Sequence, residues 1–472
     1  MSEAAQYDPY ALSVDDIQEP PTSLWQALRK IGPGIILAGS IVGSGELILT
    51  TWLGAKYGFA FLWLVVYSCI IKVFVQIELG RYAISSGKPT LAALDSLPGP
   101  RWRSHWLVWW WFFMLLATVS QLGGMIGGVQ QALDLTRPGV APWMWGVFIA
   151  GSVIVLLLSG GYLMIERLTT VLVVGVTAFT VLGAVALQFT DLAVGWREMV
   201  VGLIPTLPQD NEAANLAFTC FGITGVGANE LYYYPYWCVE KGYARWTGPR
   251  TNDEAWERRA KGWMRVLQLD AWVSMVVFTA ATLAFYFLGA GVLHAQGKVP
   301  EKQEMINVLS HLYEPSFGAW TVPAFLIGAW AVLFKTLYVS SAGHSRLTAD
   351  FFGLAKFVNL PDSDSRRAWI RGLCVFYPLL ALALFLVFGA NPQAMMMFGA
   401  MVQAATLPII CGAALYLRYR YTDRRIAPNR LSDAFLIFAV LSITAVALYA
   451  TPKAMVDWID KLKPPAATAP TK

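Results

Sequence analysis

Charge is scarce in this chain. Asp, Glu, Lys and Arg together make up 14% of its 472 residues, where soluble proteins carry about a quarter, so a fully water-exposed surface is excluded. Cysteine is sparse as well. Cys69, Cys220, Cys238, Cys374 and Cys411 lie in or beside apolar runs without CxxC spacing, which excludes a disulfide or zinc framework and leaves small packing residues. The four histidines are dispersed, with no HExxH-like pattern. No catalytic triad, phosphate loop or nucleotide motif is visible, and no enzyme activity is expected. The polar opening stretch, with Asp15, Asp16 and Glu19, contains no apolar core of a signal peptide. Ten-residue segments of alternating hydrophobicity, the mark of a membrane barrel, are absent too.

What fills the chain instead is apolar sequence, 56% by composition. About 20 apolar residues suffice to cross the hydrocarbon core as a helix, and the chain holds about eleven such runs, near 32–56, 58–82, 105–131, 142–160, 163–188, 214–238, 264–292, 319–343, 372–389, 392–417 and 432–450, numbered here spans 1 to 11. The reading is an all-α integral membrane protein. Trp109, Trp110 and Trp111 mark a span end, as interfacial anchors do. Lys and Arg concentrate in the even connections: Arg81, Lys88, Arg101 and Arg103, then 241–265, 346–371 and 418–430. The odd ones hold only Lys56, Arg137, Arg197, Lys298 and Lys302. Positive charge retained on the cytoplasmic side then puts the N-terminus inside and the C-terminus outside a cell (plasma or inner) membrane, with four lysines from Lys453 onward dissenting. The net charge of +5 belongs to these loops, so the partners expected are the lipid bilayer and a solute, with no nucleic acid; oligomeric state cannot be read.

Two near copies stand out: Val42-Gly43-Ser44-Gly45-Glu46-Leu47 and Val226-Gly227-Ala228-Asn229-Glu230-Leu231. Four identities in six residues arise about once by chance in a chain of this length. Position gives the match its weight. Each copy lies in the first helix of a five-helix block, spans 1 to 5 and 6 to 10, and an odd number of helices per block inserts the second block upside down. Glycines that interrupt a membrane helix free backbone carbonyls and amides, and a carboxylate beside such a break is the chemistry of a midplane binding site. A purely structural reading remains for each glutamate, as a cap on the first turn of a half-helix.

The stretch from Gly32-Pro33-Gly34 through Gly43-Ser44-Gly45-Glu46 to Gly54-Ala55-Lys56-Tyr57-Gly58 resembles the first helix and loop of the Nramp divalent-metal transporters. Further matches follow in order: Glu166-Arg167, Gly202-Leu203-Ile204-Pro205, Glu230-Leu231-Tyr232, Asp270, and Ala342-Gly343-His344-Ser345. The resemblance covers most of residues 30–420. It implies a leucine-transporter-like core of two inverted halves with spans 1 and 6 unwound at the site. The domains would then be a cytoplasmic tail (1–30), a first repeat (31–190), a second repeat (191–420), span 11 (421–452) and a C-terminal tail (453–472). The departures are chemical, marking a divergent branch without the usual metal-binding motifs. The family's Asp-Pro-Gly-Asn of span 1 falls on Gly43, Ser44, Gly45 and Glu46, and its Met-Pro-His of span 6 on Gly227, Ala228 and Asn229.

With the aspartate, thioether and imidazole gone from those positions, the candidate ligands are Glu46, Glu230, the Asn229 amide, the Ser44 and Thr224 hydroxyls, and carbonyls at Gly43 and Gly227. An oxygen set suits harder divalent ions such as Mn²⁺ or Mg²⁺. In its loss of methionine it is similar to the Nramp-related branch that moves magnesium. The function expected is secondary-active transport of a divalent metal by alternating access, with no cofactor beyond the transported ion. The alternative is a proton- or sodium-coupled carrier of a small organic solute, an amino acid or amine, with Tyr232, Tyr233, Tyr234 and Tyr236 lining its pocket. Coupling is open between protons, shared by two close glutamates, sodium, and none. Lys335 in span 8 either stands at the span 1 break as a bound cation would, or pairs with Asp270 or snorkels outward, the plainer reading. On span 2, Lys72 and Glu78 are explained by an intrahelical pair, Glu78 lying three residues before Arg81. Gln121 and Gln403 either line the path or bond helix to helix. Residues 254–265, with Trp256 and Trp263, read as an interfacial segment, 301–313 as a short external helix, and the ends of the chain as a floppy tail and a disordered one.

Overall fold

A computed structural model describes residues 10–160, 162–208, 210–300, 304–360, 362–388 and 391–462. The described chain is helical apart from a two-residue ladder pairing Arg101–Trp102 with Ser104–His105. Among the described residues nine helices are long and apolar enough to cross a membrane: Leu62–Ser86, Trp106–Thr136, Pro142–Ser159, Leu163–Leu187, Glu254–His294, Thr321–Leu354, Ser363–Phe388, Pro392–Arg420 and Arg430–Ala454. They are spans 2 to 5 and 7 to 11. Span 1 is a broken pair, Pro33–Ile41 and Gly45–Tyr57, bent by 40°. Span 6 is broken too, into Asn211–Ile223 and Ala228–Lys241. Neither half of span 6 is long enough alone; end to end they reach ~40 Å at ~1.5 Å per residue, against a core of ~30 Å. The chain is an all-α membrane protein with the two breaks where the repeated motif lies.

Burial sorts the helices into two rings. The apolar windows of spans 2, 3, 7 and 8 are 72%, 67%, 67% and 67% buried, whereas those of spans 4, 5, 9 and 11 are only 28–33% buried. The outer ring shows Phe148, Val155 and Val171 to the surroundings, as lipid-facing helices do. Spans 7 and 8 pack against the first half of span 1, and spans 2 and 10 against the second half of span 6. The broken helices therefore sit at the centre.

Two expectations about the connections are corrected, and a third, the short helix within 301–313, is met in the described residues. The described part of the N-terminal tail is no floppy extension but a strap across the ends of spans 2, 6, 7 and 9. Tyr10 donates to Glu240 Oε1 (2.8 Å) with the Arg366 guanidinium 3.6 Å from its ring centre. The Gln18 amide donates to the Trp246 carbonyl (3.0 Å), and Trp263 Nε1 donates to the Gln18 carbonyl (3.0 Å). Polar composition concealed apolar anchors at Tyr10, Leu12, Ile17 and Pro20. Residues 254–265 are the start of a single helix, Glu254–Leu288, in which Trp256 and Trp263 are fully buried; the strap and the Arg425 guanidinium, 4.4 Å from the Trp256 ring centre, cover them. The third concerns residues 301–313, of which 301–303 lie outside the described residues. The rest holds one short helix, Met305–Ser310, with a buried face of Met305, Ile306 and Leu309, and a second, Glu314–Phe317, follows beyond it. The disordered reading of 464–472 falls outside the described residues.

Tyr10→Ala removes a partly buried hydrogen bond to a carboxylate, worth ~1–3 kcal/mol. We expect limited trypsin digestion to cut this variant at Arg29 or Lys30 faster than the parent; equal rates would mean that Tyr10 does not hold the strap.

Candidate functional site at the two helix breaks

Span 1 starts where Gly32-Pro33 opens a helix, with proline at a position that needs no amide donor. The Asp270 carboxylate of span 7 accepts from the Gly32 amide (2.8 Å) and the Gly34 amide (2.6 Å), and from Tyr234 Oη (3.1 Å). Asp270 thus caps this half-helix and does not pair with Lys335. The half-helix ends at Val42, whose ψ of 75° leaves the helical region, and the chain resumes in a wide turn over Gly45–Thr50. Glycines permit the break by contact. A side chain on Gly43 would run into the Thr336 hydroxyl of span 8, and one on Gly45 would meet Ile223 at 3.0 Å.

The first half of span 6 is capped by Asp210, which accepts from the Ala213 amide (2.7 Å), and it ends at Thr224 in an extended conformation. Gly225 then takes φ +68°, and a Cβ there would stand 2.8 Å from the Cys69 Cα. The second half starts at Ala228, and Gln403 Oε1 of span 10 accepts from the Asn229 amide (3.1 Å). A Cβ on Gly227 would crowd Glu230 Oε2 (2.6 Å) and Gln403 Oε1 (2.9 Å).

Between the breaks lies a cavity of about 30 Å³ lined by Ser40, Ser44, Gly45, Gln121, Asn229, Glu230, Thr336, Ser340, His344 and Gln403, together with Met125 and Met396. Glu230 is its one carboxylate among the described residues, with Oε1 accepting from Ser40 Oγ at 2.6 Å. Asn229 Oδ1 is buried with no hydrogen-bond partner. Gln403 Nε2 donates to Gln121 Oε1 (3.0 Å), and Gln121 Nε2 donates to the Met396 carbonyl (3.1 Å), so both glutamines line the cavity and bond helix to helix at once. This chain of donors fixes which end of each amide faces its neighbour.

The structure separates residues that the sequence reading grouped. Ser44, Asn229 and Glu230 reach the cavity. Glu46 does not line it: fully buried, it accepts from Thr50 Oγ1 (2.7 Å) at Oε2, while Oε1 has no partner. Thr224 lies with it, its hydroxyl 3.2 Å from that of Thr50. Gly43 and Gly227 shape the breaks without lining the cavity. Lys335 donates to the Val42 carbonyl, at the span 1 break. Lys72 leaves Glu78 to Arg81 (2.6 Å) and turns to span 6. Of the tyrosines, Tyr233 Oη bonds the His344 ring (2.9 Å to Nδ1) and Tyr236 bonds Asp350 (2.7 Å); none of the four lines the cavity.

Sequence reasoning missed Ser40, Thr336 and Ser340 as lining residues and Gly225 as the strained turn. His344 was visible only as a motif match, with no role. Met125, Met396 and His344 also qualify the all-oxygen reading, since soft donor types return from spans 3, 10 and 8. Among the described residues no three His, Cys, Asp or Glu side chains cluster as a metal cage, so an ion here would have one carboxylate and mostly neutral donors.

Residues 34–452 match the model of natural resistance-associated macrophage protein-like (Nramp) chains. The chain belongs to the Nramp family. A divalent metal cation transporter, MntH, of Acidiphilium cryptum is 25% identical over 425 residues, 88% of this chain and 86% of the relative. Among solved structures, a mutant of the Eremococcus coleocola manganese transporter superposes with TM-score 0.66 at 16% identity, covering 96% of this chain and 94% of that one. MhsT in complex with L-phenylalanine superposes at TM-score 0.59 and 15% identity, covering 93% and 100%. These structural likenesses establish the leucine-transporter-like fold; membership establishes a multi-pass transporter of the Nramp type.

Proposed function

We propose that this Nramp-family protein carries a divalent metal ion across the cell membrane by alternating access, holding the ion at Glu230 and Asn229 between the broken spans. The observation that carries the reading is the unpartnered Asn229 Oδ1 beside the Glu230 carboxylate in a cavity of about 30 Å³. A buried carbonyl oxygen without a donor costs ~1–3 kcal/mol, and a cation repays it. The cavity has room for an ion with one or two waters. Pockets for organic solutes begin near 300 Å³, about tenfold larger, which weighs against the amino-acid or amine alternative. The carboxylate, amide and hydroxyl donors favour harder ions, Mn²⁺ and Mg²⁺, with Ser44 and Ser40 completing the shell.

In this reading the two inverted halves, 31–190 and 191–420, move against each other around the cavity, with span 11 outside them. The strap lies on the cytoplasmic side, where the Lys/Arg bias puts the N-terminus, and the C-terminus is outside. Glu46 stands behind the site, bonded to Thr50 and outside the cavity lining, and is not a ligand in this reading.

Purified protein in liposomes tests this by dye-reported entry of Mn²⁺ and Mg²⁺. We expect saturable entry of both, unaffected by amino acids or amines. Glu46→Gln is expected to keep the apparent KM for Mn²⁺ within about threefold, because its carboxyl lies outside the cavity lining and the isosteric amide can still accept from Thr50. If Glu46→Gln instead raises that KM a hundredfold, both glutamates ligate the ion.

A further inference from the structure

Lys72 of span 2 and Lys335 of span 8 stand outside the cavity at the breaks, each fully buried among the helices. Among the described residues neither forms an ion pair with a carboxylate. Their partners are backbone carbonyls, and of one kind. Lys72 Nζ donates to the Phe221 carbonyl and to the Thr224 carbonyl (2.9 Å), the C-terminal end of the first half of span 6. Lys335 Nζ donates to the Val42 carbonyl, the C-terminal end of the first half of span 1. Each broken span therefore has one ammonium, supplied by a different helix, at the carbonyl end that its break exposes.

Such an end carries orphan carbonyls and about half a negative charge, and it favours a cation. The surroundings of Lys72 are those of a small-cation site: Ser68 Oγ lies 2.8 Å from the Thr224 carbonyl and 3.2 Å from that of Phe221, with the Thr50 and Thr224 hydroxyls and the Glu46 carboxylate behind. An ammonium supplies three donors on a tether and loses none of the translational freedom that a free ion would.

We propose that Lys72 and Lys335 are tethered cations occupying the two carbonyl ends made by the broken spans, so that no inorganic monovalent ion binds there and transport runs without sodium. The proposal rests on the transport reading above for its functional half and on binding alone for the rest.

Both halves are read from one set of proteins: the parent, Lys72→Ala, Lys335→Ala and the charge-keeping Lys335→Arg. Mn²⁺ uptake into liposomes is compared in sodium chloride and choline chloride, and thermal unfolding of the detergent-purified proteins is followed with the same salts. The parent and Lys335→Arg should be indifferent to the choice of salt on both readouts. Each alanine variant should lose at least about tenfold in choline, the loss of a buried charge at a helix terminus, and regain several-fold in sodium, with a midpoint raised by sodium and not by choline. Should one alanine variant fail to fold, the other decides alone. Sodium stimulation of the parent, or alanine variants blind to sodium on both readouts, overturns the proposal. A parent that moves no metal refutes the transport reading instead, and the sodium-dependent midpoints still decide the lysines.

Discussion

Glu230→Gln is expected to reduce Mn²⁺ uptake at least about a hundredfold while leaving the protein folded. The substitution keeps shape and removes charge. Among the described residues Glu230 is the only carboxylate lining the cavity, so the variant asks a dication to shed water against neutral donors alone. Even residues that merely orient a metal ligand are worth about 10- to 100-fold, and a hundredfold corresponds to ~2.7 kcal/mol. The Ser40 hydroxyl, now 2.6 Å from Oε1, can still donate to the glutamine carbonyl, which is why folding should survive. Dye-reported uptake beside a thermal midpoint distinguishes the outcomes: normal midpoint with lost uptake supports the assignment, and normal uptake rejects it.

Gly225→Val should be as damaging by a different route. Gly225 holds φ +68°, a left-handed conformation costing other residues ~1–2 kcal/mol. Its absent Cβ would stand 2.8 Å from the Cys69 Cα and 3.1 Å from the Ser68 carbonyl. These are backbone atoms and cannot swing aside, so overpacking adds ~1–3 kcal/mol. Ser68 and Lys72 on the same face of span 2 hold the carbonyls of Phe221 and Thr224, and pushing the helices apart breaks that contact. Uptake should fall more than about tenfold, with a lower thermal midpoint. Gly151→Ala in span 4, where a Cβ meets nothing within 4 Å, is the control and should change neither; a Gly225→Val protein that matches it would mean that span 6 needs no glycine turn.

The fold was legible because crossing a membrane leaves a one-dimensional trace: ten of the eleven runs coincide with helices or a bent pair that pass on length and apolarity alone. Span 6 is the exception. Its second half, Ala228–Lys241, is tyrosine-rich and carries Asn229, Glu230 and Pro235, and the repeated motif located it better than hydropathy did. The breaks were legible in the glycines, although the strained one is Gly225, just outside the copied hexapeptide. Direction was not legible. Glu46 and Glu230 occupy equivalent places in the motif, yet the wide turn at Gly45–Thr50 aims one at Thr50 while the regular helix aims the other at the cavity. Lys72 shows the same limit: its spacing from Glu78 offered a local partner, and a carbonyl end 149 residues away won it. His344 and the two glutamines come from spans 3, 8 and 10, which only tertiary packing brings to the breaks.

One metal ion is proposed to bind between the broken spans on Glu230 and Asn229, and anomalous diffraction from crystals grown with Mn²⁺ would locate it. A single strong anomalous peak is expected about 2.0–2.6 Å from a Glu230 carboxylate oxygen and Asn229 Oδ1, the range of oxygen ligands to hard divalent ions, and it should disappear in Glu230→Gln. A peak at Glu46 instead, or one that persists in Glu230→Gln, would contradict the proposed site.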